Sequence, residues 1–72
     1  MLALINDIEA LAIEAYLELL SDDNTNVAYQ SYLEGRVNGL TTAYATVSNQ
    51  TYKDAADAIK RQTVEIYRNL LV

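Results

Sequence analysis

Three apolar-striped segments, over residues 2–20, 26–47 and 52–71, are separated by two short polar breaks, and no proline interrupts any of them. Segments of this length are long for soluble helices, which average roughly 11–12 residues. Their apolar side chains recur at steps of three and four, the pattern of a helix with one buried side. Short polar turns make neighbouring helices antiparallel. The chain therefore reads as all-α. It predicts a three-helix antiparallel bundle or helical hairpin array, a single domain over 1–72, completed by homo-oligomerisation.

The first segment motivates that last clause. Ile5, Ile8, Ala12, Ala15 and Leu19 form its seam. Leu4 and Leu11 widen the apolar surface on one side. Leu2, Ile13, Tyr16 and Leu20 widen it on the other, with Leu17 beyond them. Only Asp7, Glu14 and Glu18 form a clear polar stripe. A helix apolar most of the way round needs cover on several sides. Two partner helices from the same chain are expected to fall short.

The second segment carries a seam of Leu33, Val37, Leu40, Tyr44 and Val47, widened by Tyr29, Tyr32 and Ala43. Gly35 and Gly39 weaken it by about 1 kcal/mol each relative to alanine. Their four-residue spacing predicts close approach of a neighbouring backbone, within or between chains. The stretch Thr41 to Val47 favours strand by composition, but the helical seam runs through it, so helix is predicted, with a kink at Gly39 as the weak point. In the third segment Tyr52, Ala56, Ile59, Thr63, Ile66 and Leu70 form the seam. Asp57–Arg61 and Arg61–Glu65 are spaced as supporting ion pairs.

The breaks read as caps. Ser21 to Asn26 is rich in residues that bond their own backbone, and Asn24 or Thr25 is expected to cap the second helix. Thr51 with Asp54 resembles a capping box that opens the third.

Composition narrows function. With 72 residues a lone core is marginal, and such chains normally add disulfides, a metal or a partner. There is no cysteine and no histidine, so disulfides and the usual structural zinc sites are out of reach. The common ways of activating a nucleophile are missing as well. No catalytic, cofactor-binding or metal-ligating residue is assigned, and the chain is not expected to be an enzyme. Asp22, Asn24 and Asn26 match the start of a calcium loop, but Val27 stands where glycine is needed and Leu33 where the closing glutamate belongs. A capping turn explains them better.

The net charge is −5, which disfavours nucleic acid as a partner. Asp7, Glu9, Glu14 and Glu18 also make the first segment a poor membrane span. A soluble cytoplasmic protein is the expectation. Residues 1–24 hold six carboxylates (Asp22 and Asp23 besides those four) and no cation. Residues 49–72 hold Lys53, Lys60, Arg61 and Arg68 against Asp54, Asp57 and Glu65. An acidic first segment facing a basic last one, within or between chains, is consistent with that split.

Arg36 falls inside the apolar stripe of the second segment. It either snorkels or pairs with a carboxylate, Glu14 or Glu18, across a helix contact. Of the six tyrosines, Tyr44 and Tyr52 lie on seams and are expected in the core. Tyr29, Tyr32 and Tyr67 lie at seam margins, where tyrosine suits interfaces. The leading expectation is a small non-enzymatic protein-binding module, an assembly, adaptor or regulatory protein, that self-associates as a dimer. Its contact residues are Ile5, Ile8, Leu11, Ile13, Tyr16, Leu17, Tyr29, Tyr32 and Arg36. The alternative is a small acidic inhibitor that imitates nucleic acid charge and blocks a nucleic-acid-binding protein.

Overall fold

The computed structural model describes residues 2–22 and 26–70. They form three helices, α1 (Leu2–Ser21), α2 (Val27–Val47) and α3 (Tyr52–Leu70), and each packs on the other two. Two bonds fix the sense of the first pair. Glu18 meets Arg36 and Glu9 meets Tyr44. One partner's number falls as the other's rises, so α1 and α2 run antiparallel.

Each helix start has a local cause. Asn26 caps α2, its side chain accepting the Tyr29 amide at 3.2 Å. This places the cap at Asn26, which the sequence reading had put inside the helix; Asn24 and Thr25 lie outside the described residues. At α3, Thr51 Oγ1 accepts the Asp54 amide at 3.1 Å, the N-cap half of a capping box.

The end of α2 is a feature the sequence reading missed. Asn49 adopts φ 57°. The Gln50 amide donates to the Ala45 carbonyl at 2.9 Å and the Asn49 amide to the Thr46 carbonyl at 3.4 Å. These are the two bonds of a Schellman cap, which needs a left-handed residue at this position, and asparagine is the usual substitute for glycine there. A β-branched residue in that conformation is strained. Asn49→Val is therefore expected to destabilise the fold by about 1–2 kcal/mol, and Asn49→Gly to leave it near wild type, as read by thermal denaturation.

α2 runs unbroken through Gly39. Its threonines stay helical because their hydroxyls bond the preceding turn. Thr42 Oγ1 donates to the Asn38 carbonyl at 2.8 Å and Thr46 Oγ1 to the Thr42 carbonyl at 2.9 Å. This local bonding satisfies the hydroxyls without a strand.

The core is small. Ala12, Tyr44, Ala45, Ala55 and Ile59 form one buried cluster, with Ile5, Ile8, Ile13, Tyr16 and Leu40 packed against it. Ala15, Leu33, Val37, Thr41 and Thr63 are also buried. Thr63 keeps its hydroxyl satisfied by donating to the Ile59 carbonyl at 2.7 Å. The sequence seam of α3 is partly corrected. Ala55 is buried, whereas Tyr52, Ile66 and Leu70 are exposed. The radius of gyration, 12.4 Å, exceeds the roughly 11 Å expected for a compact chain of this length. Tyr52 and Leu70, the two ends of the α3 seam, are left uncovered.

Candidate interaction surface

The fold leaves large apolar side chains exposed on all three helices, and four of them lie along one path over α1 and α2. Leu4 is 50% and Leu11 45% exposed. They stand seven residues apart, so they lie one above the other on the same edge of α1. Glu18, seven residues further on, continues that edge and joins it to α2. Arg36 Nη1 lies 2.5 Å from Glu18 Oε2, and the Tyr29 hydroxyl donates to Glu18 Oε1 at 3.3 Å. Tyr29 and Tyr32 are 39% and 61% exposed, with ring centroids 6.1 Å apart and planes tilted by 31°. The edge thus runs Leu4, Leu11, Glu18 and crosses to Arg36, Tyr29 and Tyr32.

Arg36–Glu18 is the one ion pair among the described residues. It resolves the two readings of Arg36. The guanidinium is half-buried and paired across the α1–α2 contact. The spacings Asp57–Arg61 and Arg61–Glu65 do not form ion pairs. The Tyr29 phenol is pushed above its ordinary value of 10.0, first by desolvation and then by the Glu18 carboxylate it faces.

On the far side of α1, the Tyr44 hydroxyl donates to Glu9 Oε2 at 2.7 Å. Glu9, an isolated acid in the sequence pattern, is thus the partner that lets a tyrosine sit in the core. The Tyr44 phenol is pushed up from 10.0, first by that bond and then by burial, with Gln50 acting in the opposite sense. A raised phenol stabilises the fold below about pH 10, and that contribution is lost as pH rises through the folded-state value. Tyr44→Phe leaves Glu9 without its donor, and hydrogen bonds to charged groups contribute about 1.5–3 kcal/mol. The variant is expected to melt lower at neutral pH, and the difference from wild type should shrink above pH 10 in an alkaline titration followed by circular dichroism.

The other predicted contact residues divide. Ile5, Ile8, Ile13 and Tyr16 are half-buried and pack against the chain's own core. Leu17 is half-buried too. Leu11, Tyr29 and Tyr32 are exposed, and Arg36 is half-buried. Of the seam tyrosines, Tyr44 is in the core. Tyr52 is not: it is exposed, and its hydroxyl donates to Asn38 Oδ1 at 2.8 Å. Gly35 and Gly39 also depart from expectation. Apart from its chain neighbours and its own turns of helix backbone, no described atom lies within 4 Å of where a Cβ would stand on either, so neither serves close packing among the described residues.

Among the described residues no group of three or more histidine, cysteine or acidic side chains is arranged to hold a metal ion, and no helix is long and apolar enough to cross a membrane. No family model, curated protein or solved structure matches the chain.

Proposed function

We propose that this protein is a small non-enzymatic binding module that self-associates, with the Leu4–Leu11 edge of α1 and the Tyr29, Tyr32 and Arg36 edge of α2 as its contact surface. The observation that carries this reading is the exposure of Leu4 and Leu11 on α1 and of Tyr29 and Tyr32 on α2, on a molecule whose own core is built largely from alanine and threonine. Chains of this size gain stability by association when their core is thin. An apolar edge rimmed by an ion pair and tyrosine hydroxyls has the composition of a protein interface. A two-fold pair is the simplest closed form.

The charge-mimic alternative draws less support. Glu9 and Glu18 are engaged with Tyr44 and Arg36, and Lys53, Lys60, Arg61 and Arg68 stand exposed on α3.

Two aspartate variants test the reading. Leu11 is half-exposed, so Leu11→Asp is expected to keep its helical content while weakening association at least tenfold, about 1.4 kcal/mol. Ile13 packs on the core, so Ile13→Asp is expected to unfold the chain by placing a charge there. Light scattering and circular dichroism read the two effects separately. A Leu11→Asp protein that associates as wild type does removes the contact surface from the account.

A further inference from the structure

The outward face of α3 is the complement of the outward edge of α1. Arg61, Val64 and Arg68 line a shallow groove of about 410 Å³ together with Asp57, Lys60 and Glu65. None of its charges forms an ion pair, since Arg36–Glu18 is the only one among the described residues. On α1, Asp7, Leu11 and Glu14 are exposed in the same way, and α1 contains no cation.

Their spacings match. Asp7 to Glu14 and Arg61 to Arg68 are each seven residues, about 10.5 Å along a helix. The apolar residue comes four after Asp7 in one helix and three after Arg61 in the other. A pattern of i, i+4, i+7 read backwards is i, i+3, i+7. Laid antiparallel, the two faces bring Asp7 to Arg68, Leu11 to Val64 and Glu14 to Arg61 at once. The parallel arrangement sets Leu11 against Glu65 instead. In the antiparallel register Glu65 meets Ala10, and Asp57 meets Glu18, whose charge Arg36 already balances.

We propose that the groove on α3 receives the Asp7–Leu11–Glu14 edge of α1 from a second copy of this chain, in that antiparallel register. The proposal rests on the self-association reading above and names the face of the second copy that covers Leu11. Opposite charges meeting at both ends of an apolar contact set register and orientation. A contact of this kind weakens with salt, because the charges stay near the surface.

Charge exchange tests it. One variant is Asp7→Lys with Glu14→Lys; the other is Arg61→Glu with Arg68→Glu. All four positions are exposed, so both variants should fold, which circular dichroism checks. Sedimentation equilibrium is run on each alone, on their equimolar mixture and on wild type, at about 50 mM and about 500 mM salt. Each variant alone is expected to remain at the mass of one chain where wild type associates. The mixture is expected to regain the wild-type mass, because each supplies the face the other lacks. Wild-type association should weaken at least tenfold at the higher salt. Variants that associate as wild type does, or a folded mixture that fails to recover, overturn this register. If Leu11→Asp abolishes association while the charge variants leave it intact, the self-association reading stands and α3 is not the receiving face. A wild type that does not associate at either salt overturns both.

Discussion

Ile59→Ala is expected to lower the melting temperature by at least about 10 °C. Ile59 is 1% exposed and sits in the cluster of Ala12, Tyr44, Ala45 and Ala55. Three of those four neighbours are alanines, which have no side-chain reach with which to fill a vacated space. Truncating a buried isoleucine costs about 2–5 kcal/mol, and most where the surroundings collapse least. A domain of this length has a total stability of roughly 4–11 kcal/mol, so the loss is a large share of it. Each kcal/mol moves the melting point by about 4–8 °C at this size. Ile66→Ala is the matched control. Ile66 lies on the same sequence seam but is exposed, and its truncation is expected to move the midpoint by only a few degrees. Equal shifts for the two would mean that the seam of α3 is buried along its whole length, against the structure.

Gly39→Ala and Gly35→Ala are expected to move the midpoint the other way. Both glycines lie inside α2, and a Cβ at either would meet no described atom beyond its chain neighbours and its own turns of helix backbone. Glycine in a helix interior costs about 0.8–1.0 kcal/mol relative to alanine, through the backbone freedom it loses on folding. With no steric penalty to offset it, each substitution should raise the melting temperature by about 4–8 °C. Measurement at a concentration where sedimentation gives the single-chain mass isolates the folding term, since the proposed association would make the midpoint depend on concentration. A fall in the midpoint under those conditions would show that a surface packs closely on this side of α2.

The helices themselves were legible because their periodicity is strong and proline is absent. The seam of α1 reads through to Ala12 and Ala15, which the structure buries. Helix ends were less so. Asn26 and Asn49 act through backbone geometry, one accepting an amide and the other turning left-handed, and both look like ordinary turn asparagines in the sequence. The buried face of α2 includes Thr41 and Ala45, which hydrophobicity alone passes over. Thr63 shows why threonine can sit inside: its hydroxyl is spent on the preceding turn. Tyr52 and Leu70 fail in the opposite direction. Periodicity places them on the buried side, but they are the first and last residues of α3, and the other helices leave both exposed. Periodicity fixes which way a side chain points, and only tertiary packing decides how far the neighbouring helices extend to meet it.

For the proposed contact surface, Arg36, Tyr29 and Tyr32 could be singled out because a cation and polar-tipped aromatics break an apolar stripe. Glu18 appeared beforehand as one of two possible partners. Glu9 did not stand out as a bonding group, since nothing in its neighbours shows that Tyr44 would arrive from thirty-five residues away. Leu4 and Leu11 were visible as surplus apolar area. Which flank of α1 the other two helices would cover was not, because a helical projection carries no information on crossing angle.

On the proposal above, another protein surface, a second copy first, covers the apolar edge of α1. Sedimentation equilibrium of the wild-type chain, over a range of micromolar to millimolar concentration, tests it most directly. The account predicts a mass that rises with concentration from the 8.0 kDa of one chain to at least twice that value. A fully helical protein that holds the single-chain mass over the whole range would contradict it.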